Sequence, residues 1–255
     1  MNTSFPFTDP EAALTRLYGQ VPDNSASVVH VAAVWRAPGG DFITLRIGPD
    51  APPSDIDWFV LSAARARADA IVTTGRILRA EPELVHDLVG ETGAALHAWR
   101  QRALGRQHAP YVLVLTGGQL LDRAHPALHG WARPVIYTHT AAAQRMRAEG
   151  AGRLHIVGED CPSLVGAITC LRGLGCRTIL IEAGPSTGAA LYRPDAPAID
   201  ELLLSVYGNE RLPASARGPA FVEPDQIAGA LPRRSPVYRD GDWQFMRFWR
   251  ASTTR

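Results

Sequence analysis

The sequence predicts an α/β fold with a mostly parallel central sheet and an antiparallel hairpin near its C-terminal end. Three observations carry this. Short β-rich apolar runs alternate with helical runs over most of the 255 residues, the pattern of strand–helix units around a parallel sheet. Several of those runs are apolar on both sides, as strands covered on two faces are. The last two runs flank Asp240-Gly241-Asp242, and an Asp-Gly pair between apolar runs marks a hairpin.

The elements follow in order. Residues 1–27 have little periodicity and read as an irregular lead-in with a short helix around 11–18; residues 28–255 then read as a single domain. Residues 28–35 form a strand that is apolar on both sides and so central. Residues 37–53, rich in Gly, Pro and Asp, read as a loop with one extended piece at 42–47. Ser54 is a good N-cap. Asp55 and Asp57 sit in the first turn, where the helix dipole favours them. Ile56, Phe59, Val60 and Ala63 give that helix one apolar face.

A strand at 70–74 ends in Thr73-Thr74-Gly75. A helix at 91–104 stops at Gly105. Strands follow at 111–115 and 135–138, a helix at 141–149, a strand at 154–157, and a helix at 163–174 with Gly175 as its stop. The strand at 178–182 runs straight into Ala183-Gly184-Pro185-Ser186-Thr187-Gly188 and a helix at 189–192. Strands at 202–207, 237–239 and 243–249 complete the chain.

Composition excludes several function classes. The 26 basic residues are all arginine, and 25 acidic residues leave a net charge of +1. That balance calls for neither nucleic acid nor an anionic membrane. Without lysine there is no Schiff-base chemistry and no P-loop. The three cysteines lack CxxC spacing, and the histidines lack metal-ligand spacing, so no metal site is expected. No apolar run approaches the ~20 residues needed to cross a bilayer. The expectation is a soluble, cytoplasmic protein.

Three strand ends carry the candidate chemistry: Thr73-Thr74-Gly75, Thr116-Gly117-Gly118, and residues 183–188. In an open α/β sheet, ligands bind at the carboxyl ends of the strands. Glycine there allows close backbone approach, hydroxyls donate hydrogen bonds, and a helix start favours anions. Stretch 183–188 reads either as a phosphate cradle or as an ordinary strand–helix turn. Glu182, at a buried strand end, needs a partner or a ligand. Arg65, Arg67, Arg76 and Arg79 form a local excess of guanidinium groups beside this region, suited to anions.

The run Arg65-Ala66-Arg67-Ala68-Asp69-Ala70, with Thr73-Thr74-Gly75 and Arg79-Ala80-Glu81-Pro82 after it, resembles a motif block of the riboflavin-biosynthesis reductase domain. That domain is the C-terminal half of a bifunctional deaminase–reductase. Glu182-Ala183-Gly184-Pro185-Ser186-Thr187 resembles its second block, and Asp200-Glu201-Leu202 the run after it. The resemblance covers residues 28–249. It implies a dihydrofolate-reductase-like three-layer fold, homodimers, and NADPH-dependent hydride transfer to a C=N or C=O of a pyrimidinone- or pterin-like substrate. It implies that Thr74, Gly75, Arg76, Thr116 and Ala183, Gly184, Pro185, Ser186, Thr187 and Gly188 hold the cofactor. Arg65 falls where the family contacts substrate, and Glu182 faces the substrate end as the candidate catalytic group.

The departures are local. His30-Val31-Ala32-Ala33 stands where the family has a lysine and an S-L-D-G turn. Arg76 stands for a threonine, Ala80 for an aspartate, and His86-Asp87 for an arginine expected on the substrate phosphate. The cofactor half is thus kept better than the substrate half. The alternative reading is a catalytically diverged nucleotide-binding protein of the same fold.

Overall fold

The computed structural model describes residues 5–22, 27–119, 121–150, 152 and 154–250; the lead-in at 1–4 and 23–26 lies outside them. The remaining lead-in holds a well-capped helix, α1 (Pro10–Tyr18). The Asp9 carboxylate accepts from Ala12 N–H at 3.1 Å, Pro10 occupies the first turn, and Gly19 ends the helix at φ 77°. Leu14 and Leu17 of α1 are buried in one core with Phe59 and Phe245. The stretch therefore contributes to the core, although its polar spacing hid this.

The chain continues as β1 (Ser27–Arg36), β2 (Phe42–Leu45), α2 (Asp55–Arg67), β3 (Ala70–Thr74), α3 (Gly75–Ala80), α4 (Gly90–Arg102), β4 (Tyr111–Leu115), β5 (Arg133–His139), α5 (Thr140–Ala148), β6 (His155–Glu159), α6 (Leu164–Gly173), β7 (Thr178–Ile181), α7 (Pro185–Gly188), β8 (Glu201–Tyr207), β9 (Arg217–Ala220), α8 (Pro224–Ala230), β10 (Arg233–Arg234), β11 (Tyr238–Asp240) and β12 (Trp243–Trp249). The strand order is β10-β12-β8-β1-β7-β3-β4-β5-β6. The seven strands from β8 to β6 are parallel to one another, while β10, β11 and β12 pair antiparallel at one edge. β2 and β9 form an antiparallel extension from the C-terminal part of β1.

Helices cover both faces, giving three layers. Side chains alternate along a strand, and here the alternation sorts residues between two cores. Ile179 and Ile181 of β7 and Val72 of β3 pack with α6 and α8. Leu180 and Ile71 point the other way, toward α1, α2 and α4. This is the α/β class, largely parallel sheet and C-terminal hairpin expected from the sequence, with Gly241 at φ 54° in the hairpin turn.

Four details differ from the sequence expectation. The turn after β3 is itself a helix, α3, capped by the Thr74 hydroxyl, which accepts from Ile77 N–H at 3.2 Å. The helix after β7 begins at Pro185, not at residue 189, because proline fits the first helical position and its fixed φ favours starting there; a 3-10 turn at Ala189–Tyr192 follows. β9 and α8 were not anticipated. Arg67, grouped by sequence with the anion-binding arginines, is 2% exposed on the far side of α2. It donates to Glu201 at 2.8 Å, and Arg247 donates to the same carboxylate at 2.7 Å. This buried trio ties α2 to β8 and β12.

Candidate functional site

A cleft of about 870 Å³ opens over the carboxyl ends of β1, β7, β3 and β4, where a parallel sheet offers its ligand site. Strand order divides it. One half lies over β3 and β4 and holds Thr74, Arg76, Arg79, Thr116 and Gly117. The other lies over β1, the β2–β9 extension and α2. The segment after β7 runs between them.

Of the residues expected from the sequence, the cleft gathers Arg65, Thr74, Arg76, Thr116, Glu182 and the five residues 183–187. Gly75 and Gly188 stand behind it. A Cβ on Gly75 would meet Thr116 Oγ1 at 2.9 Å, and one on Gly188 would meet His30 Cε1 at 3.0 Å. Both glycines serve close packing between neighbouring segments and do not contact the cleft. Gly184 and Gly117 are the opposite case. A Cβ on either would touch no protein atom within 4 Å, and both line the cleft, so any side chain there would occupy ligand space. The Thr73 hydroxyl, at the same strand end, is buried with no hydrogen-bond partner among the described residues. Bare backbone, hydroxyls and two guanidinium groups fit the phosphates of a dinucleotide.

Glu182 has its partner inside the protein. Arg65 Nε donates to one carboxylate oxygen at 2.8 Å and its Nη2 to the other at 2.7 Å, while Nη1 donates to Val85 O at 3.2 Å. The side chains are 3% and 12% exposed. Burial alone would push the Glu182 carboxyl up. The charge of Arg65 and its hydrogen bonds outweigh it, so Glu182 sits below the usual carboxylate range. It is an ionised, fixed group. A carboxylate held this way is suited to orienting a bound molecule.

His30, in place of the family's lysine, lines the cleft floor and is 1% exposed. Its Nδ1 lies 2.9 Å from the Tyr192 hydroxyl. Burial depresses its pKa to about 4 against a weaker opposing bond to the Ala183 backbone. It is neutral at pH 7. His86 lies 3.8 Å from Glu182 and is likewise depressed by burial to about 4, so that contact is not an ion pair.

Sequence reasoning missed Asp57. It was read as a dipole-complementing residue in the first turn of α2. Its side chain lines the cleft and forms no ion pair among the described residues. Burial raises its pKa; the Ser205 hydroxyl, close by without a formed hydrogen bond, pulls less strongly the other way. The available signal was its position three residues after the cap Ser54 on the face that also carries Trp58 and Leu61, but only the sheet topology brings that face to the strand ends.

The sequence matches no protein-family model and no curated protein. Solved structures do match. A pyrimidine reductase-like protein from Corynebacterium diphtheriae aligns at 20% identity over 94% of this chain and 98% of that one, with a TM-score of 0.65. The diaminohydroxyphosphoribosylaminopyrimidine deaminase/5-amino-6-(5-phosphoribosylamino)uracil reductase of Thermotoga maritima aligns at 15% identity over 89% of this chain, with a TM-score of 0.58; the match spans 57% of that longer chain. The riboflavin biosynthesis reductase Rib7 of Saccharomyces cerevisiae aligns at 10% identity over 94% and 98%, with a TM-score of 0.55. At these identities the likeness is one of fold, and it is the riboflavin-reductase-like fold implied by the motif blocks. No helix among the described residues is long and apolar enough to cross a membrane.

Proposed function

We propose that the chain is an NADPH-dependent reductase that transfers a hydride to a C=N or C=O carbon, working as a homodimer in the cytoplasm. The observation that carries this reading is the divided cleft. One half is lined by bare glycines, threonines and the arginines Arg76 and Arg79; the other carries apolar walls and a half-buried carboxyl group, Asp57, that forms no ion pair among the described residues. The likeness in fold to reductases supports the same reading.

Thr74, Arg76, Thr116 and residues 183–187 would hold NADPH, which when bound would supply the hydride. The C=N or C=O heteroatom of a substrate reduced in this way needs a proton from the protein. Asp57 is suited to give it, because burial raises its pKa above the usual carboxylate range. The carboxylate it leaves is reprotonated from solvent. The carboxylate of Glu182, held by Arg65, orients the substrate, and neutral His30 keeps a positive charge out of the floor.

The reading is tested in two steps. NADPH is expected to quench tryptophan fluorescence and raise the melting temperature, with NADH doing so less; no response to either sinks it. Asp57→Asn is then expected to leave NADPH affinity unchanged and to lower kcat by about 10²–10⁴, the usual scale for a lost general acid. In the wild type, kcat/KM falls as pH rises through the raised Asp57 pKa, because the proton is lost; in the variant that limb disappears. Nucleotide binding with no NADPH oxidation on any pyrimidinone, pterin or carbonyl compound would support a catalytically diverged nucleotide-binding protein.

A further inference from the structure

The fold leaves six large apolar side chains exposed among the described residues, and three of them stand together on the rim of one half of the cleft: Ile47 (75% exposed), Trp58 (54%) and Val85 (40%). Exposed apolar surface grouped at the mouth of a cleft marks a binding surface, and its place on the cleft rim points to the cleft's ligand. Below the rim, Leu45, Leu61 and Val31 continue the apolar wall. Trp58 presents a ring for stacking, and the Arg65 guanidinium lies 6.0 Å from the ring centroid.

The polar groups of this half do not call for an anion. Arg65 donates to both oxygens of Glu182 and to Val85 O, so its charge is neutralised where it stands. His30 is neutral. The Thr44 hydroxyl donates to Pro219 O at 2.7 Å. Glu81, Glu83 and Glu182 line the cleft as well, and a phosphate dianion brought among their carboxylates meets like charge. Arg46, exposed at the rim, is the cation on this side with no ion pair among the described residues.

We propose that the β1–β2–α2 half of the cleft binds an uncharged, unphosphorylated carbonyl or imine compound with a flat apolar body, which stacks on Trp58 with its reacting group toward Asp57. This rests on the reductase reading and narrows its substrate class. The reaction balances as above: hydride to carbon, proton from Asp57 to oxygen or nitrogen, NADP⁺ and the reduced compound as products.

The test uses the purified chain, NADPH, 9,10-phenanthrenequinone as the flat uncharged probe and ribose 5-phosphate as the phosphorylated one. NADPH affinity is measured first and alone, since failure there removes the reductase reading and this inference with it. With NADPH bound, the quinone is expected to be reduced with saturating kinetics. Trp58→Ala and Ile47→Arg are each expected to raise KM for the quinone about tenfold with NADPH affinity unchanged. Ribose 5-phosphate is expected neither to compete nor to raise the melting temperature. Three results overturn the inference while leaving the reductase reading standing. One is that the quinone is neither bound nor reduced. Another is that ribose 5-phosphate competes and Arg46→Ala relieves the competition. The third is that Trp58→Ala changes the sedimentation mass but not KM, which would assign the apolar rim to pairing of two chains.

Discussion

Arg65 and Glu182 are 117 residues apart in sequence and share two hydrogen bonds under 3 Å. Removing one member of such a buried pair leaves an uncompensated charge, at a typical cost of about 3–5 kcal/mol. Glu182→Gln is therefore expected to lower unfolding free energy by roughly 3 kcal/mol. Combining it with Arg65→Met should cost much less than the sum of the two single changes. Urea unfolding of the four proteins in a double-mutant cycle checks this, and additive losses would mean that the pair is not coupled. The need of Glu182 for a partner was legible in the sequence, because a carboxylate ending the run Thr-Ile-Leu-Ile cannot stay bare. That the partner is Arg65 was not, because the pairing depends on β7 lying next to β3. Asp57 went unread for a related reason: a helix-start aspartate has a sufficient local explanation, and only tertiary structure shows a second one.

At the scale of elements, the segment joining β7 to α7 is the most exacting. Gly184 has φ −60°, an ordinary value for any residue, so backbone strain does not require glycine there. Open space does: its Cβ would project where no protein atom lies within 4 Å. Gly184→Asp is thus expected to leave stability within about 0.5 kcal/mol, as for substitutions that touch nothing. It should weaken NADPH binding at least tenfold by adding bulk and negative charge, and titration of tryptophan quenching reads this directly. Unchanged affinity would remove the segment from the cofactor site. The parallel strands were legible because burial on both faces forces continuous apolar runs, such as Ala70–Thr74 and Thr178–Ile181. β9 was not. Its sequence, Arg-Gly-Pro-Ala, has little intrinsic strand preference. It is extended because β2 pairs with it, Ile43 opposite Ala220, and because Gly218 lets Thr44 approach: a Cβ there would lie 2.5 Å from Thr44 Oγ1.

For the whole molecule, two buried histidines make stability depend on pH. His30 and His86 are each held near 4 by burial, against 6.5 when exposed. Between those values the unfolded chain binds protons that the folded chain does not, so stability rises with pH there and is lost as pH falls from 6.5 toward 4. At ~1.36 kcal/mol per unit, each histidine contributes a loss on the order of 3 kcal/mol when fully expressed. Glu182 and Glu201, both below the usual carboxylate range despite burial, add losses of the same sign below about pH 4.5. Denaturant midpoints measured from pH 7 to pH 4 are expected to fall steadily, and His86→Leu should flatten part of that slope. A flat profile in the wild type would mean that these rings are protonated in the folded state.

The position of β7 also bears on how the chain assembles. β1 and β3 never pair with each other; β7 sits between them, bonded to Val28 and Val29 on one side and to Ile71 and Val72 on the other. The centre of the sheet is thus filled by residues made more than a hundred positions after its flanks. Until residue 181 has left the ribosome, β1 and the β3–β4–β5–β6 group are separate pieces with open edges, and loop closure over that distance precedes any gain from pairing. The same insertion that brings Glu182 to Arg65 joins the two parts of the sheet, so the cleft across them requires β7 to be paired on both sides.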